Sequence, residues 1–456
     1  PKQLKMNYNL IKLFRLLFII LVMLVQVFPQ TRRDPRCVAM AGAYGAVSRG
    51  LFAVDYNPAN LAFFHEYSSY RLWGGFNFSF SNNFISVKKY KEYNGQNFEG
   101  KGGKLKKKFI SEIPDNGWRI FTDTHFALPY LNYSSGNKAF TSDIIVIGDV
   151  GLPKGLIRFI FEGNPYKEGD NYLDLDFNEE FLMMGQYAYS FAIPFKNFSI
   201  GFSLKYLQGF GYFGLNPDSS SGYISTYFEP NRNYIIGEGK YLFQQSLGGR
   251  GFGLDIGVTS DEIDGYRFGA SLTNLFGKIY WQKKTLISRL MGGNEILPWN
   301  GDFYLYEFKV NEARFDKFFE NIPYDEMFPG KGKTIHDTTE FKVRYPSLAR
   351  FSLSKWINED ALFATDFVAG FEDRLYSFGA WKWCMGIEIV RSKEFPIRFG
   401  VAFGGKDNRE LTFGSGYHKG FIHFDWAFGV SNGLWFTTAK GFNFSISIYT
   451  TGKRKD

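Results

Sequence analysis

Cysteine is nearly absent: Cys37 and Cys384 are the only two among 456 residues. Two thiols permit one disulfide at most, which excludes a cysteine-stapled scaffold and a cysteine-based zinc site. The residues before Cys37, Asp34-Pro35-Arg36, do not suit lipid attachment. Long apolar runs are equally scarce. The longest, residues 16–25, is about half of the roughly 20 residues that a membrane-crossing helix needs. No acidic residue precedes Asp34, while Lys12 and Arg15 lead into the apolar run, the layout of a removable secretion signal rather than an anchor. On this reading Met6 is the start, residues 1–5 lie upstream of it, and the leader ends near Gln30, although "VFPQT" lacks the usual small residues. Strong net charge is missing too. Removing residues 1–30 takes Lys2, Lys5, Lys12 and Arg15 from the formal +8, and about +4 over the rest is no nucleic-acid footprint. The one concentration of positive charge, "KGGKLKKK" at 101–108, reads as a solvated loop, with lipid phosphates or acidic glycans as the alternative reading.

What the chain does have is aromatic residues, with 52 Phe, 28 Tyr and 9 Trp, beside 50 Gly. Its mean hydropathy is nevertheless slightly negative. That combination fits strands with one greasy and one polar face. In "WKWCMGIEIV", Trp381, Trp383, Met385, Ile387 and Ile389 share one face, and Lys382, Cys384, Gly386 and Glu388 the other. In "FIHFDWAFGV", Ile422, Phe424, Trp426, Phe428 and Val430 oppose His423, Asp425, Ala427 and Gly429. The last such segment alternates Phe442, Phe444, Ile446 and Ile448 with Asn443, Ser445 and Ser447. Similar patterns occur at 70–80, 200–206, 252–258, 266–272 and 397–403. A soluble sandwich also alternates, but these greasy faces run for about ten residues, the length of a tilted membrane strand. The opposite faces carry Lys382, Glu388, Arg398, His423 and Asp425 among glycines, which suits a wet lumen better than a dry core. The expectation is an all-β fold, a transmembrane antiparallel β-barrel of about 14 strands. Residues 82–117, 153–178 and 282–346 read as long loops, with a short helix near 106–113 and an amphipathic start at "PKGLIRFIFEG".

Ahead of the barrel lies "GLFAVDYNPANLAFF", residues 50–64. Asn57 is a favoured helix cap and Pro58 a favoured first helical residue, so Asn57-Pro58-Ala59 reads as a helix start. The apolar residues around it need burial, and the space left to a segment preceding the first strand is the barrel mouth or lumen. Residues 31–66 are therefore expected to form a short helical hatch and 67–456 the barrel. The stretch "GAVSRGLFAVDYNPANLAFF" resembles the hatch of the FadL-like long-chain fatty-acid transporter family, as "GRGFGLDIGV", "FGASLTNLFGKIYW", "RYPSLARFSLS" and "FPIRFGVAFG" resemble strand motifs of that superfamily, including its type IX secretion shuttles. "ISEIPDNGWRI" followed by "GLPKGLIRFIFEGN" is similar to a branch of unknown function. The resemblance implies passive uptake of hydrophobic compounds such as long-chain fatty acids across the outer membrane of a Gram-negative-type bacterium, or else a barrel that holds an exported protein. It implies lipid and lipopolysaccharide as surroundings, and Phe52, Leu61, Phe63 and Phe64 as ligand contacts.

Enzyme chemistry finds little footing. His423 and Asp425 share a strand face, but no serine is fixed beside them. His418 and His423, read as lying on a turn and a strand, make a weak metal pair. "PGKGKT" at 329–334 lacks the first glycine of a phosphate loop, since position 327 is Met327. Gly249, Gly251 and Gly253 recur at period two, as on a small-faced strand, not a dinucleotide turn. No catalytic residue, metal or cofactor is assigned.

Overall fold

In this computed structural model, residues 34–453 are described apart from 63–66, 72, 99, 163–171, 178, 217–219, 230–231, 282–301, 315–332, 337–340, 373–374 and 376–377. The proposed leader and Phe63 and Phe64 lie outside the described residues.

Alternation of greasy and polar side chains produces antiparallel strands whose two faces meet different surroundings. Fourteen of them close a barrel: β1 (Gly75–Asn82), β2 (Trp118–Ala127), β3 (Lys138–Leu152), β4 (Glu179–Pro194), β5 (Phe198–Leu215), β6 (Arg232–Ser260), β7 (Tyr266–Trp281), β8 (Leu348–Asn358), β9 (Ala361–Gly370), β10 (Trp381–Ile389), β11 (Ile397–Gly404), β12 (Arg409–Lys419), β13 (Ile422–Ser431) and β14 (Gly441–Lys453). Each pairs with its chain neighbour, and β14 pairs back with β1, from Gly75↔Ser447 to Ser81↔Gly441. Closure removes every free edge, which a sheet crossing lipid requires. Among the described residues no helix is long and apolar enough to cross a membrane, so any crossing is made by strands.

The predicted faces hold. Trp381, Trp383, Phe399 and Phe413 are exposed on the outside, while Lys382, Cys384, Glu388 and Arg398 are buried within. One end of the barrel has short turns such as 195–197 and 359–360, and the other carries the long connections. The 82–117 connection holds two helices, α2 (Val87–Tyr93) and α3 (Gly100–Ser111), so the expected helix starts earlier than 106 and has a companion. Helix α4 (Lys154–Glu162) is the amphipathic stretch, and Phe161 packs on Phe109 of α3 at 5.2 Å.

The 282–346 stretch departs from the expected loop. It contains strands Asp302–Arg314, Lys333–His336 and Phe341–Arg344. Asp302–Arg314 pairs along the first half of β6, which runs 29 residues and flanks Ser221–Glu229 on its other side. The extension lies in a polar sequence because its pairing, not a lipid face, sets its structure. "PGKGKT" lies partly outside the described residues, and its last two residues open a strand, not a helix.

Candidate functional site

The segment before the barrel folds inside it. Asp34 caps a short helix, α1 (Pro35–Ala39), its carboxylate accepting from Arg36 N at 2.7 Å. Two 3₁₀ turns follow, Gly50–Ala53 and Pro58–Leu61. Asn57 caps the second as expected, Oδ1 accepting from Ala59 N at 3.1 Å, while its Nδ2 donates to Val258 O on β6 at 3.0 Å. Further bonds reach the wall from three sides. Ser199 Oγ donates to Ala59 O (2.7 Å), Ser271 Oγ to Tyr56 O (2.5 Å) and Thr412 Oγ1 to Ala39 O (2.8 Å).

Backbone can come this close because the wall is glycine at the points of contact. A Cβ on Gly201 would sit 2.1 Å from Ala59 N, one on Gly257 2.1 Å from Asn57 Oδ1, and one on Gly400 2.3 Å from the carbonyl carbon of Met40. Higher up, Gly249 faces the side chains of Trp281 and Ile279 and Gly253 that of Lys205, while Gly251 lies against the β7 backbone at Lys278.

Buried ion clusters hold the luminal segment as well. Arg36 Nε donates to Glu388 Oε1 at 2.9 Å, Arg398 joins the same oxygen at 2.7 Å, and Arg398 also bonds Asp425 at 2.6 Å. Asp425 accepts from Tyr449 at 2.8 Å and lies 3.1 Å from His418 Nε2. Midway, Asp366 accepts from Tyr44 N and Gly45 N, and from Arg350 at 2.6 Å. Opposite, Asp55, at a left-handed φ of 69°, bonds Lys205 at 2.5 Å, and Lys205 also meets Asp255 at 2.7 Å. Burial pushes the Asp34 carboxyl above its ordinary value, although Tyr44 and Arg36 pull it down.

Of the five predicted lumen residues, Glu388, Arg398 and Asp425 thus form one network at the short-turn end, and His423 borders it. Lys382 stands apart near the other end, paired with Glu410 and 3.8 Å from Asp407. His418 lies on β12, not on a turn, directly opposite His423, with ring centres 4.4 Å apart. It is His418 rather than His423 that contacts Asp425. Among the described residues no three His, Cys, Asp or Glu side chains gather as a metal site would require, and both cysteines are buried in one cluster between the luminal segment and the wall.

Sequence reasoning missed an apolar patch inside the barrel. Ile145, Ile147, Leu182, Met184, Leu207, Ile279 and Trp281 project from β3–β5 and β7 into one cluster with Phe341 and Val343. "DIIVIGDV" is apolar on both faces, so alternation could not assign its inner side. Of the predicted ligand contacts, Leu61 is buried among Ala53, Val54, Ala139 and Ala188, and Phe52 meets Tyr449 edge-on at 4.8 Å. Phe52 also borders a chamber of about 380 Å³ beneath the hatch.

A closed barrel with greasy outer faces, its N-terminal segment bonded inside the lumen, is an outer-membrane-type β-barrel. A family profile described as "Family of unknown function (DUF5723)" matches residues 58–372, and the chain belongs to that family. No curated protein sequence matches it. Similar solved structures include the Ralstonia pickettii toluene transporter TbuX, at 15% identity and TM-score 0.47, covering 92% of this chain and 98% of that one. They also include the Pseudomonas putida toluene transporter TodX (11%, 0.46, 94% and 99%) and a Pseudomonas aeruginosa FadL homologue (12%, 0.49, 94% and 99%).

Proposed function

We propose that this barrel is a passive outer-membrane carrier of hydrophobic compounds, with long-chain fatty acids as the model cargo, and that its hatch is the closure. The observation that carries the reading is the apolar patch inside the lumen, Ile145 to Val343, on the long-loop side of the hatch. A water-filled pore for polar solutes gains nothing from an apolar lumen. These side chains are packed on one another, so a hydrophobic cargo entering among them would exchange one set of apolar contacts for another without exposing carbon to water. The names of the similar transporters accord with this reading. The long-loop end would face lipopolysaccharide, following the usual placing of long loops outward.

The test removes the plug. Deleting residues 42–64 is expected to raise single-channel conductance in planar bilayers several-fold or to abolish folding; a folded variant with wild-type conductance would sink the plug assignment. Mass spectrometry of what co-purifies from native membranes tests the cargo, for which a fatty acid or hydrocarbon is expected. A second reading, a barrel that holds an exported protein, is favoured by the β6 extension, whose flanking strands project a paired sheet beyond the barrel. A stoichiometric co-purifying protein would favour it. Phospholipid hydrolysis lost on His423→Ala would instead reopen an enzymatic role.

A further inference from the structure

At the long-loop end, greasy and cationic side chains meet at one corner of the outer rim. Phe436, in the turn between β13 and β14, lies against Phe428 of the outer wall with ring centres 6.3 Å apart, so it stands outside the barrel. It is 67% exposed, and its neighbour Trp435 is 73% exposed. Helix α2 is tied to the same turn, Lys88 N donating to Thr437 O at 2.8 Å. That helix turns Tyr93 inward, onto Phe109 of α3 at 4.9 Å, and leaves Val87, Lys88, Tyr90 and Lys91 exposed. Charge at this corner is one-sided. Over residues 87–112, seven lysines with described side chains stand against two carboxylates, Glu92 and Glu112. Both carboxylates are engaged, Glu112 by Lys89 at 3.0 Å and Glu92 by Lys108 at 2.5 Å. Lys88 and Lys91 are left without an acidic partner among the described residues, next to the exposed aromatic rim.

We propose that this corner docks a phosphorylated membrane lipid of the lipid A type, its acyl chains lying along Phe428, Phe436 and Trp435 and its phosphate met by Lys88 and Lys91. The order of the groups selects this occupant. Phe428 belongs to the greasy wall, the aromatic rim stands where acyl chains give way to headgroups, and the lysines lie beyond it, at the level of a headgroup phosphate. A free phosphate would leave the aromatic side chains unused. A soluble acidic protein could reach Phe436 only by displacing lipid from the wall. The site lies outside the lumen and is independent of any cargo; it rests on the carrier reading only for the outward placing of the long-loop end.

The experiment uses the full chain in detergent, with native mass spectrometry to measure binding of lipid A and of lipid A stripped of its phosphates. Lipid A is expected to bind about tenfold tighter, and K88Q/K91Q is expected to remove that preference. Trp435→Ala/Phe436→Ala should weaken both lipids alike. K196Q/K393Q, exposed lysines in turns at the other end of the barrel, should keep the preference. Heat-modifiable migration on gels checks that each variant folds. Equal binding of the two lipids by the wild type, an undiminished preference in K88Q/K91Q, or an equal loss in K196Q/K393Q would overturn the site. So would displacement of lipid A by inorganic phosphate, which would give the lysines to a free anion, or equally tight binding of phosphatidylglycerol, which would make the contact a general one. On intact cells an impermeant maleimide should label Gln96→Cys, in the exposed segment after α2, on a chain with Cys37 and Cys384 replaced. No labelling with an intact lipid preference would sink the outward placing alone, and labelling without the preference would sink the docking site alone.

Discussion

Asn57 serves two masters with one amide. Its oxygen caps a 3₁₀ turn and its nitrogen bonds a wall carbonyl, so the hatch's local fold and its docking share a side chain. Asn57→Ala should cost about 1–2 kcal/mol of hatch stability, from the lost cap and an unpaired Val258 carbonyl. Faster hydrogen exchange at 57–62 with an unchanged barrel is the expected reading. The cap was legible in the sequence because it is local; the bond to Val258, 201 positions away, was not. Asp34 carries a pH dependence. Its value in the docked hatch lies above the ordinary carboxylate value because of burial, so the docked state holds the proton more firmly than the undocked one. Docking stability is therefore complete below the ordinary value, about 3.9, and declines as pH rises through the raised one. A spin label at position 49, on a chain with Cys37 and Cys384 replaced, should grow more mobile over that window. Asp34→Asn, which still caps but does not titrate, should flatten the profile.

At the scale of elements, strands β10 to β14 were legible because Phe, Trp and Ile alternate with small or charged residues, and lipid and lumen enforce that contrast. The 302–314 strand was not, since neither of its faces is set by lipid. Nor could alternation pair Glu388 with Arg36, which joins two elements 352 positions apart. The wall glycines offer a direct test of how tightly hatch and strands are fitted. Gly201→Val would drive its side chain into the backbone at Pro58 and Ala59, whereas a Cβ on Gly253, on the same inner wall, makes only ordinary contacts, with Lys205 carbons at 3.6–3.7 Å and Gly277 Cα at 3.9 Å. Gly201→Val should leave β5 paired and expel the Pro58–Leu61 turn, seen as protease cleavage within 50–62. Gly253→Ala should behave as wild type; equal cleavage in both would show that the close approach is not what seats the hatch.

For the whole molecule the proposed carrier role gives cargo two routes, past the hatch or through the wall, and the two differ in what a tether does. The hatch is clamped by ion clusters on at least three sides, so a route through it requires α1 to leave β10 and β11 while the barrel stays closed. A Cβ built on Gly386 lies 2.6 Å from Met40 Cβ, which a small shift would bring to the separation of about 3.5–4.5 Å found in disulfides. Met40→Cys/Gly386→Cys, with Cys37 and Cys384 replaced by Ala, should therefore oxidise without unfolding the barrel. If the hatch moves during transport, the oxidised protein should take up a radiolabelled fatty acid at less than about a tenth of its reduced rate, as expected when the competent state is removed from the population. Reductant should restore uptake in the same cells, which separates a tether from a folding defect. Undiminished uptake by the fully oxidised protein would exclude movement of α1 from the route and direct attention to the wall. The places to look would then be the two register shifts between β6 and β7, where Asn274 and Phe276 take left-handed φ values of 57° and the ladder is already interrupted.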